Sequence, residues 1–243
     1  MAKKAATART QLGRPAKRAA TERPGRPRRA SRSAGGNDDT PYHHGALRDA
    51  LLDAAERVLE RDGLAGLTLR AVAREAGVSH AAPTHHFGDL AGLVSELAAI
   101  GFRRFNVAMA AATARGSSLT DKALARARAY VAYAQAHPGV YGLMFRTERL
   151  DMTRPSLCEA AKASFAGLAG AIGASRQEQI SEQALSLEQA ADIARAWSLV
   201  HGFTMLLLDG RLTDILGRLP PGTDAETLLE AMLRRAIGQL PTS

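Results

Sequence analysis

A chain of 243 residues with 46% apolar and 5% aromatic content can bury a sizeable core, has room for two domains and is biased toward Ala- and Leu-rich helices. Its formal net charge of +8 is unevenly placed: residues 1–39 hold 11 Lys/Arg against Glu22, Asp38 and Asp39, whereas residues 40–243 hold 21 of each sign. A single cysteine, Cys158, excludes an intramolecular disulfide, and the main apolar run, Val200 to Leu208, is broken by His201 and Gly202 and falls short of the roughly 18 residues of a membrane span, so a cytoplasmic protein without a membrane partner is expected.

The basic stretch comes first. Its only large apolar residues are Met1 and Leu12, so residues 1–39 cannot fold by burial and are expected to be a disordered tail. Repeated Pro and Gly, with no amphipathic stripe, argue against an organelle transit peptide. Within it, Gly25-Arg26-Pro27 forms an AT-hook-like core and Gly13-Arg14-Pro15 a looser copy, both without an arginine directly before the glycine. Arg26 is thus a candidate for an A·T minor groove, the alternative being a solvated cationic arm that meets phosphates without preference.

A first helix over roughly 44–61 carries Leu47, Leu51, Ala54 and Val58 on one stripe and ends at Asp62-Gly63. Thr68 can cap a second helix whose inward face is Leu69, Val72, Ala73 and Ala76. Gly77 supplies a turn that needs positive φ, Val78 plugs the gap, and Ser79 is placed as N-cap of a third helix with Pro83 in its first turn. The arrangement is a helix-turn-helix. With TLRAVAREAGVS, HHF and the acid and apolar helix that follow, residues 40 to about 110 resemble the TetR family of bacterial transcription regulators.

That resemblance implies that the start of helix 68–76, with Thr68 and Arg70, meets a phosphate while Ser79 to His85 enter the major groove of an operator. No Lys or Arg lies in this third helix, so readout falls to His80 and His85, apolar contact to Ala81 and Ala82, and hydroxyl contact to Ser79 and Thr84. Two positions depart from the family: Thr84 stands where a tyrosine is usual and Leu90 where a lysine is usual, both backbone-holding residues.

Beyond the head the sequence reads as helices. A long one from Asp89 to about Ala114, facing inward with Leu93, Leu97, Ile100 and Phe105, is the natural lever between domains 40–88 and 89–243. Another runs from about Thr120 to Ala136 and stops at His137-Pro138-Gly139, followed by a short apolar segment, Val140 to Phe145. Capping boxes are expected at Ser156/Glu159, Ser186/Gln189 and Thr223/Glu226. Helix 187–209 shows two apolar stripes, one through Ile193, Trp197, Val200, Thr204 and Leu207, the other through Ala196, Leu199, Phe203 and Leu206. With the terminal helix around Leu228 to Ile237 it is expected to build an isologous dimer interface through residues such as Leu199 and Met232. AWSLVHGFTML, with Trp197, His201 and Gly202, resembles the C-terminal domain of the TetR subgroup named for those three residues. Either the three allow tight packing, or Trp197 and His201, with Tyr141, Met144 and Phe145, line a cavity for a small-molecule effector.

Enzyme signatures are missing from the sequence: it has no HExxH, no Glu-x-x-His pair, no GxxxxGK[ST] and no GxGxxG. Histidines 43, 44, 80, 85 and 86 lack Cys or carboxylates at ligand spacing, so neither metal nor cofactor is expected. The expectation is an all-α, homodimeric, ligand-responsive regulator of transcription, more a repressor than an activator, nucleoid-associated when on DNA. The alternative is an architectural DNA-binding protein in which the tail dominates and the C-terminal domain only dimerises.

Overall fold

The computed structural model describes residues 42–181 and 183–238, with side chains from residue 45 on; Arg26 and the basic stretch lie outside the described residues. Within them the chain is helical, and no strand occurs: α1 (Tyr42–Gly66), α2 (Leu69–Ala76), α3 (Ala82–Phe87), α4 (Leu90–Ala114), α5 (Leu119–Ala136), α6 (Pro138–Met144), a 3-10 turn (Thr147–Arg149), α7 (Pro155–Arg176), α8 (Leu187–Leu208), α9 (Thr213–Leu216) and α10 (Ala225–Gly238).

Local chemistry sets most of the boundaries. Gly63, at φ 68° and ψ −178°, breaks α1 where Asp62-Gly63 led one to expect it. Thr68 caps α2 by accepting the Ala71 N–H at 3.1 Å, and Gly77 closes it in the left-handed region at φ 69°. Asp89 caps α4 through the Gly92 N–H at 2.7 Å. The box at Ser186/Gln189 is present, with reciprocal bonds of 3.0 and 3.2 Å. A second box, Ser118/Asp121, which the sequence reading did not mark, opens α5 one residue ahead of the expected Thr120.

Three starts differ from expectation. Ser79 does not cap α3: the helix begins at Ala82 behind Ala81, and residues 79–82 form a turn closed by the Ala82 N–H on the Ser79 carbonyl at 3.0 Å. Pro83 is the reason. In a helix starting after Ser79 its ring would press on the carbonyl four residues back and its missing N–H would forfeit the first helical bond, whereas two residues from the start both costs vanish. Ser156 does not cap α7, because Pro155 already lies in the first turn; the Ser156 hydroxyl donates instead to Glu96 of α4 at 2.9 Å. At α10 the cap is Asp224 rather than Thr223, with its carboxylate accepting the Thr227 N–H at 2.8 Å.

Two apolar cores result. The first joins Leu51 and Val58 of α1, Val72 of α2, Phe87 of α3, Leu93 and Leu97 of α4, Tyr141 of α6 and Leu157 of α7. The second gathers Leu124 and Val131 of α5, Phe203 of α8, Leu212, and Leu229 and Leu233 of α10. Leu199 and Met232, expected at a dimer seam, are half-buried against this second core of their own chain, where α10 packs on α5 and α8. The uncovered face of α8 runs through Leu187, Ala191, Ala194, Ser198 and Met205 and takes in Leu206, the exposed end of the second stripe.

Candidate nucleic-acid interface and effector site

On the head, Val72 and Ala73 anchor α2, and Phe87, 2% exposed, anchors α3. With those faces turned inward, Thr68, Arg70, Ser79, His80, Ala81, Thr84 and His85 are all left exposed. The turn of residues 79–82 and the first residues of α3 therefore form an exposed rim, reached through a turn and not through a helix that starts after Ser79.

Charge on this surface is more selective than the sequence showed. Arg57 and Arg61 both hold Glu75, at 3.0 and 2.9 Å, and Arg48 holds Glu96 at 2.6 Å. The hydrogen bonds from Arg57 and then Arg61 keep Glu75 below its ordinary carboxylate range. Among the described head residues, Arg70 and Arg74 are the arginines that no hydrogen bond or ion pair engages. Both are exposed, four apart on one face of α2. Arg74 was missed in the sequence, though that spacing was there to find it.

The second constellation lies where α5, α6 and α8 meet. Tyr141 is fully buried, and its hydroxyl lies 2.8 Å from Nδ1 of the half-buried His201; Tyr130 of α5 places its hydroxyl 2.9 Å from the same nitrogen. Tyr141 donates to Tyr130 at 3.2 Å. Burial penalises the charged ring and moves His201 below its ordinary range, while burial pushes both phenols up. The imidazole is thus neutral and both phenols are protonated, with the donor and acceptor roles at Nδ1 set by the ring tautomer. Phe145 packs on His201 at 4.7 Å between ring centroids, and Trp197, 47% exposed, stands at the solvent edge of the cluster, 6.0 Å from His201.

So four of the five proposed lining residues come together. Met144 faces the other way, where its Sδ would lie 2.9 Å from a side chain at Gly101 of α4. Tyr130 was missed because nothing in α5 alone marks it. Also unmarked was Arg126, one turn earlier on α5: it is half-buried, lies against Gly167 of α7 and forms no hydrogen bond or ion pair with a described residue. The cluster is tied to the head as well. Glu60 of α1 accepts the N–H groups of Gly139 and Val140 at 3.0 and 3.1 Å, capping the helix that carries Tyr141.

A helix-turn-helix with an exposed rim, joined by one long helix to a helical second region, defines a DNA-binding regulator. Residues 51–97 match the sequence profile of bacterial regulatory proteins of the tetR family, and residues 123–236 that of a tetracyclin repressor-like C-terminal domain. The chain belongs to the TetR family, which comprises DNA-binding transcriptional regulators, in general responsive to ligands, and not enzymes. It is 28% identical over 194 residues to the uncharacterized HTH-type transcriptional regulator Rv0681 of Mycobacterium tuberculosis, covering 79% of this chain and 80% of that one. The regulator BetI of Burkholderia mallei is 38% identical over 85 residues, 35% of this chain and 42% of that protein. A solved structure of unknown function from Rhodococcus sp. RHA1 superposes with a TM-score of 0.65 at 32% identity, over 81% of this chain and 96% of that one. Among the described residues no helix is long and apolar enough to cross a membrane.

Proposed function

We propose that this protein is a homodimeric, effector-responsive repressor that binds a near-palindromic operator and acts in the cytoplasm, on the nucleoid when bound. The observation that carries the reading is the exposed rim of Thr68, Arg70, Ser79, His80, Ala81, Thr84 and His85 on a head in which Arg48, Arg57 and Arg61 are held by carboxylates while Arg70 and Arg74 are not. Domain 40–88 reads DNA, with His80 and His85 at base edges, and domain 89–243 binds effector and partner subunit. The free face of α8, from Leu187 to Leu206, is the surface for a second copy. Two heads then sit about one helical turn apart, roughly 34 to 36 Å, or a multiple of it.

The effector lodges beside Tyr141, Phe145, Trp197 and His201, with Met144 behind, in a C-terminal domain of the Trp-His-Gly kind. Ring faces suit an apolar or aromatic body, and the unpaired guanidinium of Arg126 suits an acidic group on it, since a half-buried cation without a partner costs free energy that an anion offsets. Movement of α6 pulls on Glu60, and so on α1 and the head; differential affinity for the two head spacings shifts the population. A footprint on DNA upstream of the protein's own gene tests the reading: paired protections one turn or a multiple apart support it, and uniform protection that follows only A·T content favours the architectural alternative.

A further inference from the structure

Glu96 on α4, with its side chain 12% exposed, is where four elements meet. Arg48 of α1 donates to one carboxylate oxygen at 2.6 Å and Ser156 of α7 to the other at 2.9 Å. Arg154, directly ahead of α7, places Nη1 3.6 Å from that second oxygen. Its Nη2 continues past the carboxylate and donates to the carbonyl of Phe87, the last residue of α3, at 2.9 Å. Such a carbonyl has no donor within its own helix. The ring of the same residue lies under the Arg48 guanidinium, 5.5 Å from it. The end of α3 is thus gripped by two arginines, one from inside the head and one from outside it.

Room for the second grip comes from Gly92. A Cβ added there would lie 2.1 Å from the Phe87 carbonyl oxygen and 2.3 Å from Arg154 Nη2, so the missing side chain is the space in which carbonyl and guanidinium meet. The approach segment is itself fastened. The Asp151 N–H donates to the buried Ser95 hydroxyl at 2.8 Å, that hydroxyl donates to the Ala91 carbonyl at 2.6 Å, and the Asp151 carboxylate lies 3.5 Å from Arg154 Nε.

We infer that Arg154 is a positioning residue for DNA recognition: from the segment that leads into α7 it fixes the pose of α3 by holding the Phe87 carbonyl, with Glu96 and Gly92 aiming it. This rests on α3 being the recognition helix. A planar fork serves the carbonyl and the carboxylate with separate nitrogens, which a single ammonium cannot do.

The test uses the full chain. An operator is selected in vitro from random DNA with the wild type, and Arg154→Lys and Gly92→Ala are compared with it for affinity to that operator and to random DNA, with amide hydrogen exchange as the second readout. The expected result is a loss of operator-over-random preference of about tenfold, the worth of roughly one good base contact, with faster exchange at residues 85–88 than in the wild type. Residues 51–59 of α1 should exchange as before, and affinity for random DNA should hold, because Arg154 touches no phosphate. Unchanged preference and unchanged exchange at 85–88 in both variants overturn the proposal alone, as does loss of protection spread evenly over the chain. Failure of the wild type to select any sequence overturns the reading of α3, and the proposal with it.

Discussion

At the scale of single residues, pairing decides which cations face DNA. With Arg48, Arg57 and Arg61 held by carboxylates, Arg70 and Arg74 are the described head arginines we propose for phosphate contact. Replacing both by Gln should flatten the dependence of log affinity on log salt by about 0.9 for each phosphate no longer neutralised, whereas Arg57→Gln should leave the slope as it is; titration between 50 and 200 mM salt reads the difference. His201 gives a second residue-level outcome. Its folded form holds a proton less readily than an exposed histidine, so between the ordinary value near 6.5 and its lowered value the unfolded chain binds more protons. Stability from this group is complete above that ordinary value and is lost as pH falls through the window. Melting midpoints at pH 7.5 and 5.5 should therefore fall further on acidification in the wild type than in His201→Gln. Thr68 and Gly77 were legible in the sequence because each acts on its own backbone. Ser79 was misplaced because the ring of Pro83 acts four residues upstream, and Tyr130 was invisible because its partners, Tyr141 and His201, come from other helices.

Among the helices, α8 shows how far periodicity carries. Two stripes were visible in the sequence, and each is engaged in part by the chain itself, with Ile193, Phe203 and Thr204 buried; the free face runs through small residues and Met205 and takes in Leu206 from the end of the second stripe. The consequence for assembly is specific. Leu206→Glu should give a monomer that melts near the wild-type midpoint, whereas Leu199→Glu places a charge in the second core and should unfold the subunit. Light scattering and a far-ultraviolet melt on the two variants distinguish these outcomes, and a compact dimer with Leu206→Glu would move the interface off this face. The caps follow the same logic: Ser186 was legible because it directly precedes its helix, where its hydroxyl accepts the Gln189 N–H while donating to Glu188, and Ser156 was not, because Pro155 starts α7 one residue earlier and leaves Ser156 inside the helix.

For the molecule as a whole, charge and fold are separated along the sequence. Residues 40–243 carry no net formal charge, and 40–90 hold five Arg against seven Asp/Glu, so the net positive charge available for long-range attraction to DNA lies in residues 1–39. Deleting residues 1–36 should weaken binding at low salt and flatten the salt slope while base preference at the operator centre survives; competition by a minor-groove ligand, and losses from Arg26→Ala confined to sites with A·T flanks, would mark a groove-inserting tail over a plain cationic arm.

Trp197 is the sole tryptophan of the chain, and it stands half in solvent at the lip of the ring cluster. Excited selectively, the protein therefore emits from one address, beside the place where an effector is proposed to enter, and needs no added dye. A molecule that settles there should dry the indole and shift its emission to shorter wavelength. With 4-phenylbutyrate the shift should saturate at lower concentration than with 4-phenylbutanol, and Arg126→Gln should bring the acid and the alcohol together.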